Sequence, residues 1–270
     1  SDDVLKRLAD VDAVVPLAAL VGAPACAKNP EEAQRVNEKA VARLDAARGD
    51  KPVVFLTTDS GYSTDSSGSM LVDETVPYVP RSTYTRTKHA AEQVLLGSGH
   101  TWSLRLGSVY GVSPAMRDDV LLHYLARSAV MGAPCRLTDP EAKRNFVHVR
   151  YVAQIVRLLL RRHWSDGDRG PLRSVPFGIY NLASGGAATK LEIAHVLEQQ
   201  VPGCQFSDIT PWAGAVVDPD QRDFVLDCRK IEQWTEPHIM SAVYGGVAGG
   251  WKENLPGLVR YYQWTLRGAV

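Results

Sequence analysis

The feature that most constrains the fold is an alternation of strand-like and helix-like segments within the first 106 residues. Residues 11–17, 52–57 and 102–106 are short and largely apolar, as expected for strands that are covered on both faces. Residues 30–48 and 83–96 carry helical patterns between these runs. Strand, helix, strand, helix and strand with short links predict a parallel α/β sheet.

The first of these helices has a clear start in the sequence. Asn29 is predicted as its N-cap and Pro30 as its first helical residue, and two glutamates follow at the positive end of the helix dipole. The side chains predicted to form one apolar stripe toward the core are Ala33, Val36, Ala40, Leu44 and Ala47.

The alternation becomes less regular after residue 106. Thr189 and Glu192 form a capping box that predicts a helix to about residue 200. The other predicted elements are helices at 119–131, 152–162 and 255–266, and strands at 145–149, 177–182 and 223–227.

Charge and cysteine content exclude several classes of protein. The 30 Lys and Arg residues balance the 30 Asp and Glu residues, which argues against nucleic acid as the main partner but allows a local basic pocket. None of the four cysteines has Cys-x-x-Cys spacing, so reduced thiols and no metal site are expected. The longest uncharged stretch, residues 13–27, is too short for a bilayer, and no membrane partner is expected.

A tyrosine and a lysine carry the central chemical signal. Tyr84 and Lys88 lie four residues apart in the second helix and therefore share one face. An ammonium group beside a phenol favours the phenolate and lowers the phenol pKa from about 10 toward neutrality. Such a tyrosine can take a proton from a sugar hydroxyl as a hydride leaves the same carbon. The pair alone is a weak signal, because the same spacing also arises by chance.

Polar residues follow directly on the second predicted strand. Thr57, Thr58, Asp59 and Ser60 stand at its carboxyl end, where ligands bind in open α/β sheets. A hydroxyl at this edge can bond the reacting oxygen beside Tyr84. The alternative is an ordinary turn rich in Ser and Thr.

Together these features resemble the extended short-chain dehydrogenases/reductases of the NAD-dependent epimerase/dehydratase type, over almost the whole chain. Tyr84 and Lys88 match the family's Tyr-x-x-x-Lys, Thr58 its catalytic Ser/Thr, and Asn37 the asparagine of its preceding helix. The further similar segments follow in the family's order at residues 13–19, 104–111, 144–149, 180–182 and 222–224.

The resemblance implies a Rossmann-like parallel sheet with helices on both faces and a smaller, interleaved C-terminal substrate domain. The dinucleotide-binding domain would span residues 1–182, with residues 109–144 contributing to the substrate side, and the substrate-binding domain would span 183–270. A homodimer built on the helices at 31–47 and 83–96, and a cytoplasmic location, are also implied.

The resemblance also implies roles for individual residues. Thr58, Tyr84 and Lys88 would be catalytic. The implied cofactor is NAD, with NADP not excluded, and its binding residues would be Leu17, Ala18, Ala19, Thr57, Tyr84, Lys88, Leu106, Gly107 and Val109. The implied substrate is a nucleotide sugar, and its binding residues would be Thr58, Asp59, Ser60, Ser108, Arg144, Asn145 and Arg222. The two arginines would pair with the diphosphate.

The front of the chain departs from the family pattern. The family's Gly-x-x-Gly-x-x-Gly loop, which binds the cofactor pyrophosphate at a helix N-terminus, is absent from the sequence. We expect roughly 60 further residues before Ser1 in the native protein, at about 30 residues per βαβ unit. In addition, Pro16 stands where the family usually has His.

A second departure bears on the reaction. The family's 4,6-dehydratases carry Thr-Asp-Glu, whereas this chain has Thr58, Asp59 and Ser60, so the base for elimination is missing. The resemblance therefore favours an epimerase or oxidoreductase that oxidises C4 of a GDP-linked or other NDP-linked hexose or heptose. A 4,6-dehydratase and a non-catalytic relative that binds NAD or sugar are the alternatives.

Overall fold

The computed structural model describes residues 2–63, 70–133, 140–164, 174–184, 186–204, 206, 223–235 and 250–267. Its central sheet contains β1 (Val53–Thr58), β3 (Thr101–Leu106) and β6 (Gly178–Leu182), all parallel and in the order β1-β3-β6. The register places Thr58 beside Leu106 and Leu106 beside Leu182. The carboxyl ends of the three strands are therefore level at one edge.

Two smaller sheets flank this edge. In one, β2 (Met70–Val72) pairs in parallel with β8 (Phe224–Leu226). In the other, β5 (Lys143–His148) pairs in parallel with β4 (Ser108–Tyr110) and antiparallel with β7 (Ala187–Thr189).

Helices connect and cover the strands. In chain order they are α1 (Asp2–Lys6), α2 (Ala23–Lys28), α3 (Pro30–Ala33), α4 (Ala40–Arg48), α5 (Thr83–Gly97), α6 (Leu121–Met131), α7 (Val149–Trp164), α8 (Lys190–Gln200), α9 (Arg229–Glu232) and α10 (Trp251–Arg267). A 3₁₀ turn, Arg7–Asp10, follows α1, and a π turn, Gln34–Lys39, joins α3 to α4. In the part of the chain just delimited, no helix is both long and apolar enough to span a membrane.

Helices lie on both faces of the central sheet, which confirms the predicted fold class. Val54 and Trp102 belong to the core on the α7 side, together with Ile155. Val53 and Phe55 point to the opposite face and pack with α4 and α5. Alternate residues of β1 therefore serve opposite cores, as a strand buried on both sides requires.

A second core lies beyond β4 and β5. It is formed by α6, α8 and α10, and Tyr110 and Phe146 join it from the strands. Phe224 and Ile231, from β8 and α9, pack instead in the core of the central sheet. The chain thus crosses between the two cores more than once, and the division into domains at residue 182 stays a prediction.

Residues 11–17 do not form the predicted buried strand. Only Val14 pairs, in a single parallel bridge with Val53, and Leu17 is 68% exposed. The amide of Val14 donates to Pro52 O and the carbonyl of Val14 accepts from Val54 N. In a parallel ladder the next donor would be residue 16, and Pro16 has no N–H, so the ladder ends there.

The buried face of the helix at 30–48 also differs from the prediction. Of the predicted stripe, Ala33 and Leu44 are buried and Val36 is half-buried, whereas Ala40 and Ala47 are exposed. The other buried side chains of this helix are Asn37, Val41 and Arg48. The π turn adds a residue to one helical turn and rotates the following face, which a regular helical pattern does not anticipate.

The starts of α3 and α5 differ in their capping. Asn29 does not cap α3 with its side chain, which donates to Ala25 O instead. At α5, in contrast, Ser82 Oγ accepts from Thr85 N at 3.0 Å and Ser82 N donates to Thr85 Oγ1 at 3.1 Å. This reciprocal cap fixes where α5 begins, one residue before Tyr84.

Candidate active site

A cavity of about 460 Å³ opens at the carboxyl edge of β1 and β3. Its walls include most of the residues that the sequence predicted for a site. These are Leu17, Ala19, Thr57, Thr58, Asp59, Ser60, Tyr84, Lys88, Leu106, Gly107, Ser108 and Val109. The strand register explains part of this convergence, because it brings the ends of β1 and β3 to the same level, and α5 adds Tyr84 and Lys88 to the wall.

Three of the predicted residues that the structure describes do not line the cavity. Ala18 is exposed on the segment before α2, and Arg144 lies half-buried on β5. Arg222 lies outside the described residues. Asn145 is buried behind the cavity wall, where its side chain donates to Asp59 Oδ2 at 3.3 Å and accepts from Leu226 N at 2.9 Å. Asn145 therefore connects β8 to the loop that follows β1.

Tyr84 and Lys88 both reach the cavity from successive turns of α5. Lys88 is only 6% exposed, and its Nζ lies 4.0 Å from the centroid of the Phe55 ring. Burial lowers the pKa of Lys88 to about 8, although the nearby carboxylate of Glu92 acts in the opposite direction. Lys88 consequently remains mostly charged at neutral pH, beside the tyrosine.

The loop after β1 is folded tightly by its own side chains. Thr58 Oγ1 donates to Ser60 Oγ at 3.0 Å and accepts from Ser60 N at 3.2 Å. The amide of Asp59 donates to Leu106 O at 3.0 Å, which extends the pairing of β1 with β3 by one step. The loop thereby presents two hydroxyls and one carboxylate to the cavity.

A buried hydroxyl on one wall of the cavity fits a bound ligand. Thr57 Oγ1 is buried and has no hydrogen-bond partner within the described part of the chain. Buried hydroxyls are normally bonded, so a donor or acceptor from a ligand would satisfy it. Next to it, a Cβ on Gly107 would lie 2.9 Å from the backbone of Asn145, so only glycine permits this close approach of β5.

Arg117 and His123 are among the polar residues of the cavity wall that sequence reasoning missed. Arg117 donates from Nε to Asp119 Oδ1 at 2.9 Å and from Nη1 to Val21 O at 3.3 Å, so it joins two segments of the wall. His123 accepts from Gly111 N at 3.1 Å, and burial lowers its pKa. Neither residue stands in a local pattern that distinguishes it from a surface arginine or a core histidine.

Asn37 holds the wall formed by residues 17–21. Its Oδ1 accepts from Leu20 N at 2.8 Å, and its Nδ2 donates to Leu20 O at 2.9 Å and to Thr87 Oγ1 at 3.2 Å. Asn37 is 1% exposed and lies in the π turn. It therefore links the wall to α5.

Within the described ranges, no group of three or more His, Cys, Asp or Glu side chains is placed to hold a metal ion.

The model of the NAD dependent epimerase/dehydratase family matches residues 1–182. The chain belongs to this family. Membership confirms the family that the sequence resembles and agrees with the parallel sheet found in the structure.

Solved structures of the same fold cover almost the whole chain. MoeE5 in complex with UDP-glucuronic acid and NAD is 25% identical, with a TM-score of 0.75 over 98% of this chain and 83% of MoeE5. The UDP-glucose 4-epimerase of Thermus thermophilus in complex with NAD is 23% identical, with a TM-score of 0.75 over 100% of this chain and 82% of that one. The UDP-glucuronic acid 4-epimerase of Bacillus cereus is 19% identical, with a TM-score of 0.72 over 97% and 78% of the two chains.

The role of Asn37 can be tested through stability. Replacing Asn37 with Ala leaves the part-buried N–H of Leu20 without its partner and leaves the C=O of Leu20 with only the weak donor Cys26 Sγ, so we expect the free energy of unfolding to fall by about 1–3 kcal/mol. Urea titration followed by circular dichroism measures this change. Asn29→Ala is the matched control, because the side chain of Asn29 bonds at an exposed surface, and its effect should stay within about 0.5 kcal/mol. Equal losses in the two variants would contradict the assigned role.

Proposed function

We propose that this protein is an NAD-dependent nucleotide-sugar 4-epimerase in which Tyr84 acts as the base. The observation that carries the proposal is the meeting of Thr58, Tyr84 and Lys88 in one cavity at the carboxyl edge of the sheet. Membership in the epimerase/dehydratase family supports it. The solved relatives named above, with NAD and UDP-sugars in their complexes, point in the same direction.

The residues present fit a nicotinamide cofactor along the wall formed by Thr57, Leu106 and Gly107. Thr57 offers a buried hydroxyl that has no partner among the described residues, and Gly107 lets β5 pack closely against this part of the wall. Leu17, Ala19 and Val109 supply further apolar lining. When bound, NAD would accept a hydride from the sugar carbon and later return it. We propose NAD rather than NADP because NAD is the cofactor in the solved complexes of the relatives.

The side chains of the cavity supply the proton chemistry. The phenolate of Tyr84 would take the proton of the sugar hydroxyl, and the ammonium of Lys88 would stabilise that phenolate by its charge. The hydroxyl of Thr58, already bonded to Ser60, would hold the reacting oxygen in place. Return of the hydride to the opposite face of the sugar gives epimerisation, whereas release of the ketone gives net oxidation.

The substrate is proposed as an NDP-hexose oxidised at C4. The relatives reported above act on or bind UDP-sugars, so UDP-glucose and UDP-glucuronic acid are the first candidates, ahead of GDP-linked sugars and NDP-heptoses. The proposed diphosphate ligands are Arg144 and Arg222. Arg144 lies on β5 outside the cavity, so its guanidinium would have to turn toward the diphosphate when the substrate binds.

A homodimer is proposed from the helices at 30–48 and 83–97. Ala47 lies near the surface of the first helix, and Val94 on the second is 39% exposed. Small and apolar side chains on two neighbouring helices suit a four-helix contact between two copies. Sedimentation velocity should give about twice the mass of one chain, and a single-chain mass would exclude this assembly.

Replacing Tyr84 with Phe tests the proposed base. The variant keeps the ring but loses the group that accepts the proton, so turnover should fall at least about 100-fold. The assay follows UDP-glucose, UDP-glucuronic acid and GDP-mannose by chromatography and product mass. Tyr180→Phe is the control, because Tyr180 is buried away from the cavity and bonds Pro176 O.

Two outcomes would contradict this proposal. Full turnover in Tyr84→Phe would exclude the phenol as the base. A 4-keto-6-deoxy product would identify a 4,6-dehydratase instead, an alternative favoured by the carboxylate of Asp59 in the cavity.

The pH dependence of turnover follows from Lys88. Its pKa of about 8 means that the ammonium is present below that pH and is lost as the pH rises through it. The charge that stabilises the phenolate of Tyr84 disappears with it, so turnover should fall about tenfold for each pH unit above about 8. Steady-state rates across this range measure the effect. Lys88→Arg should lack the fall, because a guanidinium stays charged, and a wild-type profile that is level beyond this pH would contradict the role.

A further inference from the structure

A charged residue, Glu92, lies on the same face of α5 as Tyr84 and Lys88. Tyr84, Lys88 and Glu92 are spaced by four residues, so they follow one another along the helix from the cavity into the core. Glu92 is fully buried. It does not line the cavity.

Glu92 binds α5 to β3 through both carboxylate oxygens. Arg105 donates from Nη2 to Oε2 at 2.7 Å and from Nε to Oε1 at 3.2 Å, and Ser103 Oγ donates to Oε1 at 2.6 Å. Burial alone would raise the pKa of Glu92, but the bonds from His89, Arg105 and Ser103 lower it to about 2. The pair is therefore charged at all ordinary pH values, and its two-pronged geometry fixes the rotation of α5 against the sheet.

Arg105 also contacts two tyrosine rings near the loop after β1. Its guanidinium lies 4.1 Å from the centroid of the Tyr78 ring and 5.0 Å from that of Tyr62. Tyr78 in turn donates from its hydroxyl to Thr58 O at 2.9 Å. Burial raises the pKa of Tyr78, so the hydroxyl keeps the proton that it donates.

The loop after β1 rests directly on Tyr78. A Cβ on Gly61 would lie 2.1 Å from the Tyr78 ring, so the loop backbone lies flat against it. Val79 N donates to Gly61 O at 2.5 Å, and Ser63 N donates to Pro77 O at 2.8 Å. The position of Tyr78 thus determines the position of residues 58–63.

We propose that Glu92, Arg105 and Tyr78 are positioning residues that set the place of Thr58 relative to Tyr84 and Lys88. The three side chains form one continuous bracket from α5 across β3 to the loop after β1. Stability does not account for the bracket, because buried ion pairs are often no more stabilising than apolar residues of similar volume. The catalytic consequence rests on the proposed function.

Tyr78→Phe tests the bracket with the smallest change. Phe keeps a ring for Arg105 and removes only the hydroxyl that bonds Thr58 O, whereas Glu92→Gln would leave the charge of Arg105 buried without a counter-ion and weaken the whole fold. Tyr180→Phe is the matched control, because Tyr180 also donates its hydroxyl to a backbone carbonyl, Pro176 O at 2.7 Å, but lies on β6 outside the loop after β1.

The expected result separates positioning from stability. In Tyr78→Phe, kcat with the best UDP-sugar should fall about tenfold or more, since small displacements of reacting groups are costly, while KM stays within about twofold. Hydrogen–deuterium exchange of residues 57–61 should be faster by a similar factor. In Tyr180→Phe, kcat and the exchange of this segment should stay within about twofold of the wild type.

Each other outcome has a defined meaning. Equal losses of kcat in the two variants, or unchanged exchange of residues 57–61 in Tyr78→Phe, would overturn the bracket. A wild-type protein inactive on every nucleotide sugar would overturn the proposed function instead, and the exchange comparison would still decide whether Tyr78 positions the loop.

Discussion

The parallel pairing of β1 with β3 is the constraint on which the site depends. Because Thr58 lies beside Leu106, the loops that follow the two strands leave the sheet at the same level. The bond from Asp59 N to Leu106 O carries this pairing one step beyond the strands. The reactive groups of the loop therefore inherit their position from the sheet, and α5 needs only one correct rotation to bring Tyr84 to them.

That rotation is fixed by charges that the protein keeps away from water. Lys88 and Glu92 are both buried on α5, and burial disfavours the charged form of each. Glu92 is compensated by Arg105 and Ser103, so its carboxylate is stable. Lys88 packs on the Phe55 ring, and burial lowers its pKa to about 8 although the charge of Glu92 acts in the opposite direction. Lys88 is thus the less compensated of the two charges, and it is the one that lines the cavity. A phenolate of Tyr84 would supply its counter-charge there.

Sequence patterns predicted the parts of the structure that have local signals. Apolar runs and a capping box, which are visible over a few residues, predicted β1, β3, β6 and the start of α8. Half of the residues that line the cavity were predicted, from strand ends, from the Tyr84–Lys88 spacing and from the family resemblance. The buried face of the helix after the π turn was not predicted, since no local sequence pattern indicates an inserted residue. The three-residue strands β2, β4 and β7 depend on distant partners, and Arg117 and His123 reach the cavity through the tertiary placement of their segments. Pro16 does indicate where the ladder must end, but the apolar residues around it favoured the prediction of a longer strand.

The two sides of the cavity are held by different kinds of bond. The cavity wall that contains Thr58 and Gly107 is part of the hydrogen-bonded sheet edge, so several backbone hydrogen bonds stabilise it. The side of residues 17–21 lies beyond the point where Pro16 ends the ladder, and its backbone is held by side chains, by Asn37 at Leu20 and by Arg117 at Val21. A segment that cannot use a ladder needs a buried amide that both donates and accepts, which Asn or Gln provides without charge. This requirement explains why a polar residue, Asn37, lies on the buried face of the helix.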